Sequence, residues 1–125
     1  MPMSHHRDIE TGWVRIWISG SPSESELFKG AEELLSDPAF PRRARILSDH
    51  RGFEMVASVE FIHRIVGLLE IYFDVLRGSK IALVATEPVN FGMQRMLSMR
   101  ADAISVHIMA FTEIEKARAW LELDD

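Results

Sequence analysis

The stretch that decides the fold runs from residue 81 to residue 97 and reads IALVATEPVNFGMQRML. An apolar run, Ile81 to Ala85, comes first, and a helix pattern follows Thr86-Glu87-Pro88. Outward from this stretch, the same order of apolar run and amphipathic helix pattern occurs three more times. The other apolar runs are Trp13 to Ile18, Ala44 to Leu47 and Ile104 to Met109. This alternation predicts an α/β protein in which helices cover a largely parallel sheet.

Four helices are predicted from capping signals and periodicity. The first follows a capping box at Ser23-Glu-Ser-Glu26, and the last opens at a second box, Thr112-Glu-Ile-Glu115. The longest runs from about Ser58 to Arg77, and apolar side chains fill half of its surface. The remaining helix follows Pro88 and carries the apolar residues Val89, Phe91, Met93, Met96, Leu97 and Met99.

Length and composition limit the class of protein. A chain of 125 residues suits a single domain, and we expect residues 9–125 to form it and residues 1–8 to be a flexible N-terminal arm. The formal charge of −5 argues against a general nucleic-acid binder, which needs a basic face. The absence of cysteine excludes disulfides, thiolate catalysis and zinc–thiolate sites.

The sequence carries no targeting signal of the membrane or secretory type. Residues 1–8 lack the apolar core of a secretory signal. No apolar run approaches the ~20 residues of a membrane span. We therefore expect a cytoplasmic protein with no membrane span.

Several short motifs together resemble a known family. These are Asp49 followed by a long loop and the long helix, then Lys80-Ile-Ala-Leu-Val-Ala85, Phe91-Gly-Met93-Gln-Arg95-Met96 and Ala117-Arg-Ala-Trp120-Leu121. Over about residues 10–122 the chain resembles the stand-alone SpoIIAA-like proteins, which belong to the STAS domains (sulphate transporter and anti-sigma factor antagonist).

The resemblance implies both a fold and a function. The fold is a β/α superhelix with a mainly parallel sheet of four to five strands and four helices largely on one side. The function is that of a non-enzymatic protein-interaction or regulatory module with a regulatory protein as its partner. Anti-sigma antagonists place a phosphorylatable serine in an Asp-Ser-x-Gly-like turn after the central strand. Here Asp49-His50-Arg51-Gly52-Phe53 stands instead, and Ser58 holds the matching place without that motif.

Loops that follow parallel strands meet at one end of the sheet, where open α/β proteins bind ligands. The candidate ligand or phosphoacceptor residues at that end are Asp49, His50, Arg51, Ser58 and Thr86. Helix N-termini and Arg51 would hold an anion there. The simpler interpretation is that Ser23, Ser58, Thr86 and Thr112 are N-caps.

A second function class stays open beside the interaction module. Phe91, Met93, Met96 and Met99 would line a pliable pocket, or they are plain core at helical spacing. The pocket interpretation makes the chain a carrier or sensor for a small apolar or anionic ligand.

Neither a catalytic set, a metal site nor a cofactor site is predicted. Asp49 and His50 are adjacent on an extended chain and face opposite ways, with no nucleophile beside them. The five histidines share no metal-ligand spacing. We expect a protein that is not an enzyme.

Three apolar residues predict a homodimer. In the strand Gly12–Ser19, Trp13 and Trp17 flank Arg15 on one face, and indole rings suit a protein interface. Ile71 falls within the polar arc of the longest helix. We expect the tryptophan strand or the Ile71 side to meet its own copy. The alternatives are that the N-terminal arm covers the tryptophan face and that Ile71 is an isolated exposed residue.

Overall fold

The computed structural model describes residues 3–8, 11–54 and 57–123. Across these residues it contains five strands and five helices. In chain order they are β1 (Met3–Arg7), β2 (Val14–Gly20), α1 (Glu24–Ser36), β3 (Arg45–Phe53), α2 (Val59–Ile71), α3 (Phe73–Leu76), β4 (Lys80–Val84), α4 (Pro88–Ala103), β5 (His107–Phe111) and α5 (Ile114–Glu122).

The five strands form one sheet in which spatial order equals chain order, β1-β2-β3-β4-β5. β1 is antiparallel to β2, and every other neighbouring pair is parallel. The predicted α/β class and the mainly parallel sheet are confirmed. Because each crossover leads to the next strand along, the chain winds across the sheet in one direction.

The N-terminal residues contain a strand where a flexible arm was expected. Met3–Arg7 pairs with β2, Met3 opposite Ile18 and Arg7 opposite Val14. Between the two strands, Asp8 N–H donates to the Trp13 carbonyl and Gly12 N–H donates to the Asp8 carbonyl, both at 2.8 Å. Thr11 is a turn residue, and Ile9 and Glu10 lie outside the described residues. The sequence of β1 is mostly polar, so the apolar pattern does not predict this strand. An edge strand is held by its backbone hydrogen bonds more than by apolar side chains.

The two faces of the sheet carry separate apolar clusters. On one face, alternate residues of β2 to β5 pack against α1, α2, α3 and α4. On the other face, Ala117 and Leu121 of α5 join Leu47, Ala82 and Val84. Among the described residues, α1, α2 and α4 therefore share one side of the sheet, and α5 packs on the other.

The predicted long helix from Ser58 to Arg77 is interrupted at one residue. Tyr72, with φ −99° and ψ 23°, separates α2 from the short α3. Its N–H still donates to the Leu68 carbonyl at 3.1 Å, and its carbonyl still accepts from Leu76 at 3.1 Å. This local irregularity is why the described residues contain five helices rather than four.

Candidate functional site

The candidate site is built on β3, which extends beyond the predicted strand Ala44 to Leu47. Pairing with β2 continues to Phe53, opposite Gly20. Asp49, His50 and Arg51 are therefore strand residues, not residues of a loop after the strand. Side chains along a strand alternate between faces, so Asp49 and His50 point to opposite sides of the sheet, as predicted.

Asp49 and Arg51 form an ion pair on the side of the sheet that carries α5. The Arg51 Nε atom lies 2.9 Å from Asp49 Oδ1, and its second guanidinium nitrogen lies 2.7 Å from Oδ2. Burial alone would raise the pKa of the Asp49 carboxyl, but hydrogen bonds and the charge of Arg51 outweigh burial and lower it. The Arg51 charge is therefore paired with the Asp49 carboxylate within the strand, through a bidentate contact of the kind that guanidinium and carboxylate groups favour.

On the opposite side of β3, His50 faces a cavity of about 190 Å³. The cavity lies between the sheet and α1, α2 and α4. Its walls are mostly aliphatic and aromatic side chains, among them Ile16, Ile18, Leu27, Leu35, Phe61, Leu69, Leu83 and Met93. Close-packed proteins leave few spaces larger than a water molecule between their side chains, so this space, which is partly open to the surface, is a distinct feature of the molecule.

Four polar side chains reach this apolar cavity. Ser48 and His50 come from β3, and Asn90 and Gln94 come from α4. The Ser48 Oγ atom lies 2.7 Å from His50 Nε2, and Asn90 Nδ2 donates to the Phe53 carbonyl at 3.3 Å. Gln94 is only 7% exposed, and neither its Nε2 nor its Oε1 has a hydrogen-bond partner among the described residues. A buried amide in that state is costly, because it has lost water without gaining a replacement.

His50 is uncharged near neutral pH. Burial lowers its pKa to about 4, although the neighbouring Asp49 charge acts in the opposite direction. No Asp, Glu, Lys or Arg is among the described residues that line the cavity. The interior of the cavity is therefore electrically neutral.

The Ser48–His50 contact has the spacing of a nucleophile and its base, yet it lacks the other parts of such a site. An efficient general base has a pKa near the working pH, and a pKa of about 4 makes His50 a weak base. A triad also needs a third group to orient the base. The adjacent carboxylate, Asp49, bonds to Arg51 on the other face of the sheet.

Ser58 is the N-cap of α2. Its Oγ accepts a hydrogen bond from Phe61 N–H at 3.0 Å and donates one to Glu24 Oε1 at 3.2 Å. The Ser58 backbone N–H donates to Glu24 Oε2 at 2.7 Å. A carboxylate thus occupies the position beside the hydroxyl that a phosphate group would need.

The other predicted caps divide into one success and two errors. Ser23 and Glu26 form the expected capping box. α4 and α5 instead have Glu87 and Glu113 at their N-cap positions, without side-chain cap bonds. The N-cap interpretation of Thr86 and Thr112 is therefore wrong, because each helix begins one residue later than that interpretation requires. Thr86 is an exposed loop residue.

The three candidate interface residues lie in different surroundings. Trp13 is 9% exposed and belongs to the apolar cluster of α5, so it is core within one chain. Trp17 is half-buried, with the His6 ring at a centroid distance of 4.8 Å and the Arg15 guanidinium 5.1 Å from its ring. Ile71 is 77% exposed at the end of α2.

Asn90 and Gln94 were not among the predicted site residues. The apolar residues of α4 suggest no single stripe, and the residues that face inward are Asn90, Gln94, Leu97 and Ala101. Their spacing of four, three and four residues is the helix period. The available signal was two amide side chains in line with Leu97 and Ala101.

Two further properties concern the helices and the acidic and imidazole groups. Over residues 3–8, 11–54 and 57–123, no helix is long and apolar enough to cross a membrane. Within the same residues, no three His, Asp or Glu side chains come together as a set that could hold a metal ion. A comparison with models of known protein families finds no match to the chain, and a search of curated proteins likewise finds none.

Proposed function

We propose that this protein is a non-enzymatic carrier or sensor that binds a small, mainly apolar ligand in the cavity beside His50 and Gln94. The observation that carries the proposal is a neutral, apolar space of about 190 Å³ with an unpaired, buried Gln94 amide. Ligand sites are typically apolar pockets with a few convergent polar groups.

The volume indicates the size of the ligand. An engineered apolar cavity of roughly 150 Å³ binds benzene. A space of about 190 Å³ therefore suits a six-membered ring with a short substituent, or an aliphatic chain of similar volume. An anionic ligand fits less well, because the described lining has no cation to pair with it.

A domain of the SpoIIAA-like type, without a phosphoswitch, is the structural side of the proposal. Sequential strand order and the gathering of α1, α2 and α4 on one face support it. The Glu24 carboxylate against Ser58 supports the absence of a phosphoswitch, because a phosphate there would meet like charge. A cysteine-free chain fits a reducing cytoplasm.

An interaction module is the second candidate function. The favouring observation is on the α5 face, where α5 packs on β3, β4 and β5. Trp17 of β2 is half-buried on the same face of the sheet, with His6 and Arg15 around its ring. A second copy of the chain would complete the cover of this indole.

The carrier function is tested by native mass spectrometry of protein purified from its own host. We expect a mass excess that corresponds to one small molecule, released on denaturation. Ala31 lines the cavity from α1, so Ala31→Phe should remove the excess by filling the space. The matched control, Ala119→Phe, changes an exposed residue of α5 and should retain it. A bare mass for the wild type, with no rise in Tm in saturating benzene or toluene, would contradict the proposal.

A further inference from the structure

α4 directs the side-chain amide of Gln94 into the apolar core, where the amide has no hydrogen-bond partner among the described residues. Gln94 is 7% exposed, and both of its amide heavy atoms lack a partner in the described part of the chain. A glutamine amide offers two N–H donors and one carbonyl acceptor. Gln94 therefore has both unused hydrogen-bond donors and an unused acceptor.

The polar residues one turn to either side of Gln94 behave differently. Asn90 Nδ2 donates to the Phe53 carbonyl at 3.3 Å, and Ser98 Oγ donates to the Ile108 carbonyl at 2.6 Å. All three side chains belong to α4, at intervals of four residues, on the side that meets the sheet. Asn90 lines the cavity as well, and of the three only Gln94 is left without a hydrogen bond in the described part of the chain. The lack of a hydrogen bond is thus specific to Gln94 and does not extend to the whole contact between α4 and the sheet.

The absence of charged side chains in the described lining limits the kind of ligand that fits the cavity. The described lining holds no Asp, Glu, Lys or Arg, and its imidazole, His50, is bonded to Ser48. A charged group on a ligand would be buried there without a counter-ion, which proteins avoid. The polar part of the ligand has to be neutral.

We propose that the ligand has one uncharged polar group that both donates and accepts hydrogen bonds, a carboxamide or a hydroxyl, which pairs with the Gln94 amide while an apolar body fills the cavity. The inference rests on the proposed carrier or sensor function and specifies its ligand class. A carboxamide is the fullest match, because its N–H and carbonyl meet the glutamine carbonyl and N–H in one plane.

Binding of a matched series of ring compounds tests this assignment. The probes are benzamide, benzyl alcohol, toluene and benzoate, measured by calorimetry on the wild type, Gln94→Met and the control Arg95→Met, an exposed neighbour on α4. We expect benzamide to bind about tenfold tighter than toluene, as one net hydrogen bond allows, and benzoate to bind more weakly than benzamide. Gln94→Met should remove this preference and leave toluene unchanged, whereas Arg95→Met should match the wild type.

A second measurement works on the wild type alone. Asn90 and Gln94 are the only Asn and Gln in the sequence, so two side-chain amide pairs appear in an amide NMR spectrum. Benzamide should move the Gln94 amide protons downfield, and toluene should not. Equal affinities for toluene and benzamide, or no such change at Gln94, would overturn the ligand class while the carrier function stands. If not even toluene binds, the carrier function itself is overturned, and this inference with it.

Discussion

His50 and Asp49 are neighbours in sequence, and the strand sends one into the cavity and the other to Arg51. Burial lowers the pKa of His50 to about 4, so between pH 6.5 and pH 4 the unfolded chain binds a proton there that the folded chain does not. Stability therefore falls as pH falls through that window. The lowered pKa of Asp49 acts at lower pH, because its contribution is present above the ordinary value of 3.8 and is lost below it.

The first prediction follows from this difference. Unfolding free energy, measured with urea at about pH 7 and pH 5, should fall on acidification by up to about 1.4 kcal/mol per pH unit. His50→Gln keeps a donor and an acceptor near Ser48 but does not titrate, so its dependence on pH should be flatter. His63→Gln, an exposed histidine of α2, should behave like the wild type. Parallel curves for His50→Gln and the wild type would show that His50 is not the group responsible.

The contact between Ser58 and Glu24 gives a second prediction at the same scale. Ser58→Ala should lower the unfolding free energy by about 1 kcal/mol, because an N-cap is lost. Ser58→Asp keeps a capping oxygen but places its charge against the Glu24 carboxylate. It should therefore be less destabilising in a Glu24→Gln background than in the wild type, with a coupling of about 0.5–1 kcal/mol in a double-mutant cycle. Additive effects would mean that the Glu24 carboxylate does not repel a negative charge at position 58.

Among the elements, those with a strong local signal could be predicted from the sequence. The capping box at Ser23 marks the start of α1, and alternation marks the faces of β2. The edge strand β1 and the inward face of α4 could not be predicted, for a common reason. Four of the five residues of Met3–Arg7 are polar, and so are Asn90 and Gln94. The positions of these residues depend on contacts with residues distant in sequence, which hydrophobic periodicity does not record.

α5 is fastened to the sheet by a buried lysine, which provides an element-scale prediction. Lys80 of β4 is 5% exposed, and its Nζ donates to the Trp120 and Leu123 carbonyls at 2.8 and 3.1 Å. A cation at the end of a helix binds its free carbonyls and complements its dipole. Lys80→Met should lower the unfolding free energy by about 1–3 kcal/mol, the cost of unpaired buried groups.

Hydrogen exchange distinguishes a local effect from a global one in this variant. Relative to the wild type, Lys80→Met should increase the exchange rate of the α5 amides more than that of the α2 amides. Lys116→Met is the control, since its ion pair with Glu113 lies at the surface and such pairs contribute about 0–1 kcal/mol. Uniformly faster exchange throughout the sheet would contradict a role for Lys80 in holding α5.

For the whole molecule, the sequence predicts the class of fold, whereas of the four residues that it suggests for a pliable pocket (Phe91, Met93, Met96 and Met99) only Met93 is among the described lining of the cavity. Four successive apolar runs, each followed by an amphipathic helix pattern, are enough to predict a parallel sheet with a covered face. The volume beside His50 and Gln94, by contrast, depends on side chains from every strand and from α1 to α4. Small differences in how these side chains pack decide whether the space is filled, and no local pattern encodes that sum. The proposed ligand site is therefore a property of the packed helices and sheet and not of any one element.

The last prediction concerns association of the whole chain. α5 packs on β3, β4 and β5, and Trp17 of β2 remains half-buried on that face. Ile71 lies 77% exposed on a helix of the other face, so the two residues report on different surfaces. At tens of micromolar, sedimentation velocity should show the wild type at twice its chain mass of 14.3 kDa. Trp17→Ser should shift it to the monomer, and Ile71→Lys should remain a dimer. If Ile71→Lys dissociates instead, the contact runs through α2, and a wild-type monomer would rule out the dimer altogether.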